Sequence, residues 1–193
     1  MRFLARFSNT NHSPNEVKIL SRVAFQSVKP LGGDVGNMRV SSYAIELDLL
    51  IDSKSKLQDA IQALVERLGP LLTMRELDIP GPEVSVEEEI QKGIELFNSE
   101  RFWESHEALE YAWRRASGSE KDTLQGVILV AAALVHLQKN ESKVALGVMQ
   151  RAYDKLPGNP VHSTGIDVEN LRKELFKMIE QGNPEFLKLR TMS

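Results

Sequence analysis

Two prolines around a glycine, Pro80-Gly81-Pro82, forbid any helix or strand from running through the middle of this chain. The acidic cluster Glu87-Glu88-Glu89 follows closely, and the hydrophobic periodicity changes at the same place. Upstream, strand-like alternation is mixed with helical spacing; downstream, only helical spacing remains. The charge balance moves from slightly basic before the break to acidic after it. The pattern predicts an α+β domain over residues 1–79, a Pro/Gly/Glu linker over 80–89, and an all-α antiparallel helical bundle over 85–193.

In the first part, Arg2-Phe3-Leu4-Ala5-Arg6-Phe7 reads as a short strand. Ser13-Pro14 opens a helix, with Ser13 as N-cap and proline in the first turn. Val17, Leu20, Ala24 and Val28 follow at helical spacing until Pro30 and Gly32-Gly33 stop it. Val35 to Val40 makes a second strand. Tyr43, Ile45, Leu47, Leu49 and Ile51 then alternate with Ala44, Glu46, Asp48, Leu50 and Asp52, which predicts a strand with one buried and one wet face. Leu57, Ile61, Leu64 and Leu68 mark a second helix ending near Gly69-Pro70, and Leu71 to Ile79 supplies a last strand. The order β-α-β-β-α-β is that of the ferredoxin-like sandwich, a fold that hosts many unrelated tasks and assigns none.

In the second part, Ser85-Val86-Glu87-Glu88 fits a capping box ahead of the stripe Ile90, Ile94 and Phe97. Asn98-Ser99 turns the chain into a second helix carrying Phe102, His106, Leu109 and Trp113. A third helix, about 120–139, is nearly apolar from Leu124 to Leu137 and belongs at the centre. Gly126 and Ala131-Ala132-Ala133 would let the second helix approach it closely. A fourth helix carries Ala145, Val148, Ala152 and Leu156, and a fifth, capped by Asp167, carries Leu171, Leu175 and Ile179 up to Gly182. Short connections favour antiparallel neighbours.

A net charge of -3 lacks the basic surface that nucleic acid or an anionic membrane requires, and Tyr43 alone cannot supply an RNA-stacking aromatic pair. The absence of cysteine removes disulfides, thiolate nucleophiles and sulfur-rich metal sites. The longest apolar run, Val127 to Val135, falls far short of the ~20 residues of a spanning helix, and the opening residues hold no signal-peptide core. These features predict a soluble, cytoplasmic protein. They leave a homo-oligomer and a small-molecule ligand open as partners.

The densest chemistry lies in Phe97 to Arg114, which holds both tryptophans. Trp103, Glu104, His106, Glu107 and Glu110 gather there, with His106 and Glu110 on one helix face. Gln125 and His136, eleven residues apart on the third helix, share a face to within about 20°. These seven residues are the ligand-binding candidates. Two readings fit them. In one, they line a small polar pocket for a ligand or a reaction, either without a metal or with a divalent metal held by His106, Glu110 and His136 and Glu107 as general base. In the other, His106 is a core histidine bonded to Glu110, while Glu104 and Glu107 lie on a solvated face. His106-Glu107-Ala108-Leu109-Glu110 begins like H-E-x-x-H but lacks the second histidine, and Trp103 occupies the position where a di-iron bundle needs glutamate. No P-loop or G-x-G-x-x-G occurs. His12 and His162 read as solvent-exposed loop residues.

Phe97-Asn98, Phe102-Trp103-Glu104, His106-Glu107, Leu109-Glu110 and Trp113-Arg114 resemble the signature of the domain of unknown function 309 family. Leu124-Gln125-Gly126, Ala131-Ala132-Ala133-Leu134, His136-Leu137 and Gly165-Ile166-Asp167 resemble its later blocks. The resemblance covers about residues 90–175. It implies a small helical bundle of bacteria and archaea with no assigned reaction. Asn140-Glu141-Ser142-Lys143 departs from the pattern, which leads one to expect a glycine-containing turn. A weaker likeness, Gly93-x-x-x-Phe97 with Ala108 and Ala112, resembles one tetratricopeptide repeat without a second copy, and keeps a peptide-binding groove in view. Two functions therefore compete: a small polar ligand- or metal-binding pocket, and an interaction or assembly module that pairs through an open sheet edge.

Overall fold

The computed structural model describes residues 1–77, 85–158 and 164–192, so Pro80-Gly81-Pro82, Ile79 and His162 lie outside the described residues. The chain divides into two compact units, one made of the residues before that break together with Gln138–Asn140, the other of the remaining residues after it.

The first unit contains β1 (Arg2–Ser8), α1 (Val17–Val28), β2 (Gly33–Val40), β3 (Ala44–Ile51), α2 (Leu57–Leu68) and β4 (Leu71–Glu76). Its strands form one sheet in the order β2-β3-β1-β4, with every neighbouring pair antiparallel. The helix start at Ser13-Pro14 is a single 3-10 turn, Pro14–Glu16, that leads into α1. Glu16 reaches back to accept the Ser13 N–H at 2.8 Å. The last strand is shorter than its apolar run suggests. Phe3, Phe7, Leu20, Ala24, Val28, Ile45, Leu47, Leu49, Leu64 and Leu68 make the core, on the pattern that period-2 and period-3.6 spacing prescribe.

The opposite face of β3 corrects the expected wet surface. Glu46 and Asp48 are 1% and 2% exposed. Arg6 donates to Glu46 at 2.8 Å, Arg2 to Asp48 at 2.6 Å, and Arg39 bridges both acids at 3.3 and 3.4 Å. Charged residues on neighbouring strands neutralise each other across the ladder, so a polar alternation here marks paired charge, not solvent. Tyr43, expected on the buried face, precedes β3 and is 58% exposed. His12 is half-buried, its ring nitrogen 3.0 Å from Glu16.

The second unit contains α3 (Val86–Asn98), α4 (Phe102–Trp113), α5 (Gly118–Gln138), α6 (Ser142–Lys155) and α7 (Val168–Gln181). The capping box forms at α3: Ser85 Oγ accepts the Glu88 N–H at 3.2 Å, and Glu88 accepts the Ser85 N–H at 2.9 Å. Asp167 caps α7 by accepting the Asn170 N–H at 2.9 Å. Asn140 takes φ +61° between α5 and α6, supplying the left-handed turn for which a glycine was expected.

Leu124, Val127, Val130, Ala131, Ala133 and Leu134 bury α5 in the core with Phe97, Phe102, Leu109 and Leu175. The close approach attributed to Gly126 serves a different neighbour. A Cβ there would stand 2.5 Å from Leu156. It is Gly93 of α3 that admits α4, since a Cβ at Gly93 would stand 2.6 Å from Leu109. Ser105 of α4 ties the same point by donating to the Gly93 carbonyl at 2.8 Å.

After α7 the chain leaves Gly182 in the left-handed conformation, and residues 183–190 run without helix or strand. This strap was not foreseen, although its Leu187 and Leu189 are buried in the helical core. Among the described residues, no helix is long and apolar enough to cross a membrane.

Candidate functional site

The sharp turn ahead of α4 is made by Glu100 at φ +56°. Arg101 follows and clasps Glu104 with two guanidinium bonds of 2.7 Å each, the fork geometry that matches a carboxylate. This pair accounts for Glu104 being buried instead of lying on a solvated face. Phe102, Ser105, Leu109 and Ala112 then turn into the core, one at each helical repeat.

Beside that buried face runs a second, half-buried stripe: Trp103, His106, Glu110 and Trp113. The Trp103 and His106 rings stack, with centroids 5.9 Å apart and planes 2° from parallel. Among the described residues, neither His106 Nδ1 nor Trp113 Nε1 has a hydrogen-bond partner, and both atoms are buried. The Lys121 ammonium, on α5, sits 4.8 Å from the centre of the Trp113 ring. An unsatisfied buried polar atom costs about 1–3 kcal/mol, so two on one stripe are an uncommon concentration.

The acids on α4 have other commitments. Glu110 pairs with Arg114 at 3.2 Å, so the expected His106–Glu110 contact is replaced by an ion pair one turn along the helix. Glu107 is exposed. On α5, Gln125 is half-buried, and His136 places Nδ1 2.5 Å from Glu141 at the start of α6. Among the described residues, no group of three or more histidine, aspartate or glutamate side chains could hold a metal ion. The structure thus brings Trp103, His106 and Glu110 onto one stripe, holds Glu104 with Arg101, and commits His136 to Glu141.

Sequence reasoning passed over Trp113 and Lys121 as site residues. Trp113 is seven residues after His106, two helical turns, and that spacing was the available signal. Lys121 lies beyond the loop after α4, where spacing says nothing about proximity.

Among the described residues, the second unit is thus a set of five helices whose most distinctive surface is an aromatic and imidazole stripe on α4. Residues 90–148 match the model of a family described as Domain of unknown function (DUF309). The match takes in most of α3, all of α4 and α5, and the first half of α6. It stops short of Gly165-Ile166-Asp167, so that block stands outside the matched segment. No curated protein matches the chain.

Proposed function

We propose that the helical unit is a binding module for a small ligand bearing a hydrogen-bond acceptor, received on the Trp103–His106–Glu110–Trp113 stripe. The observation that carries this reading is the pair of buried, unpartnered ring nitrogens, His106 Nδ1 and Trp113 Nε1. Indole N–H only donates, so a ligand that engages Trp113 must offer an acceptor. Imidazole serves either way, and its stack on Trp103 fixes the ring plane. Gln125 and Glu107 complete the candidate set. No reaction is assigned.

The test is a thermal-shift screen of small carboxylates, phosphates and divalent ions, read by tryptophan fluorescence. A compound that stabilises the wild-type chain but neither His106→Ala nor Trp113→Phe is the expected result. Stabilisation that survives both substitutions would remove the stripe from consideration.

A second reading, an assembly module, is favoured by β4. This strand lies at the edge of its sheet and exposes Leu71, Leu72 and Met74. The strand order β2-β3-β1-β4 with helices after β1 and β3 supports a ferredoxin-like sandwich for the first unit, and the succession of long helices with short connections supports an antiparallel bundle for the second. Light scattering of wild type against Leu72→Lys separates this reading from the first. An assembly that dissociates on that change supports it, and a monomeric wild type rejects self-assembly through the edge.

A further inference from the structure

We propose that the groove at the C-terminal end of α3 is a docking site for an extended apolar peptide segment, which residues 186–192 fill as a built-in, displaceable ligand. The main chain of this strap is read at three points. The Asn98 side chain donates to the Leu189 carbonyl at 3.0 Å and accepts the Leu189 N–H at 2.8 Å, so one amide copies a strand's pairing with its neighbour. Farther on, the Asp167 N–H donates to the Arg190 carbonyl and the Met192 N–H to the Gly165 carbonyl, each at 2.9 Å, around a bridge between Ile166 and Thr191. These contacts address backbone atoms that any sequence other than proline presents.

Side chains supply the selectivity. The Phe186 ring lies 5.8 Å from the ring of Phe102, itself fully buried. Leu187 and Leu189 enter the core, while Lys188 and Arg190 face water. An occupant must therefore be extended, with apolar side chains at the places of Phe186, Leu187 and Leu189 and no constraint between and after them. The division of labour is that of strand addition, backbone hydrogen bonds for affinity and side-chain seats for choice, although here an asparagine side chain and one isolated bridge take the place of a sheet edge.

The strap is suited to leave. Residues 183–190 lie in no helix or strand, the main-chain hydrogen bonds of the strap after Asn183 are the few to Asn98, Gly165 and Asp167, and a left-handed Gly182 separates it from α7. In place, the strap competes at the high effective concentration of a short tether, on the order of millimolar. A partner segment of the same chemistry gains the groove only when the strap is weakened or the partner is abundant.

The test uses the full chain and a fluorescein-labelled peptide with the sequence of residues 184–192, followed by anisotropy. In the double variant Leu187→Asp, Leu189→Asp the strap is unseated and the groove is intact. This variant is expected to bind the peptide saturably, and the wild type at least tenfold more weakly. The same peptide N-methylated at Leu189 lacks the N–H that Asn98 accepts and should bind at least tenfold more weakly than the unmodified peptide. Far-UV circular dichroism verifies that the variant is folded. If it is not, a wild-type groove with a protease site inserted between Asn183 and Pro184, cleaved after folding, takes its place. A folded, strap-free chain that ignores the peptide up to about 1 mM overturns the proposal. So does equal binding of the N-methylated peptide.

Discussion

Gly93 is the position where helix propensity and packing pull in opposite directions. Replacing glycine by alanine inside an exposed helix stabilises it by about 1 kcal/mol. At Gly93 the new methyl would stand 2.6 Å from both Cγ and Cδ2 of Leu109, which is fully buried on α4. Ordinary carbon contact is about 3.5–4.0 Å, so Leu109 or α4 must retreat by roughly 1 Å. Overpacking of that kind costs about 1–3 kcal/mol, and the Ser105 bond to the Gly93 carbonyl resists the retreat. The net expectation for Gly93→Ala is a destabilisation of about 1 kcal/mol. Leu109→Ala alone leaves a cavity costing about 2–5 kcal/mol. The double variant should be less destabilised than the sum of the two by at least about 1 kcal/mol, since each change relieves the other. Urea unfolding followed by tryptophan fluorescence measures this for the helical unit alone, because Trp103 and Trp113 are the chain's two tryptophans and both lie on α4. A Gly93→Ala chain that gains stability, with additive energies in the cycle, would refute the argument that the α3–α4 approach depends on a missing side chain.

Arg172 donates to the Tyr153 and Leu156 carbonyls at 2.7 and 2.5 Å and lies 4.1 Å over the Tyr153 ring, closing the end of α6 from α7. Arg172→Ala should cost about 2–3 kcal/mol, read as a lowered urea midpoint by the same fluorescence. In the first unit, Glu46→Ala leaves Arg39 without one of its two acids, and the expected loss is about 3 kcal/mol, visible as faster exchange of the β3 amides in urea. Glu16 is held below the ordinary carboxyl value of 4.5 chiefly by its hydrogen bond with His12, and Glu88 chiefly by the Ser85 N–H. Depressed carboxyl values contribute stability above the unfolded-state value and lose it as pH falls through the folded one. Carbon-detected titration should therefore place both midpoints below 4.5, and Ser85→Ala should not abolish the shift at Glu88, whose larger cause is the backbone N–H.

Periodicity disclosed the helices and strands because each buries one regular face: Val17, Leu20, Ala24 and Val28 needed no partner to be recognised as a stripe. The same logic misled at Glu46 and Asp48, where alternation records what is polar and cannot tell water from Arg2, Arg6 and Arg39 on other strands. The strap escaped because an extended segment anchored by Asn98 has no period at all. Around the stripe on α4, sequence placed His106 and Glu110 on one face because local helical geometry does so unaided. It could not foretell that Glu110 would choose Arg114, or His136 choose Glu141, since several partners stood within reach of each.

The Asn98–Leu189 bonds join residues 91 positions apart, and this separation has a temporal consequence. Closing so long a loop is slow relative to helix formation, and during synthesis it must wait until Leu189 has left the ribosome. Until then the hydrophobic seat beside Phe102 stands open on an otherwise assembled set of helices, which makes the nascent chain stickier than the finished one.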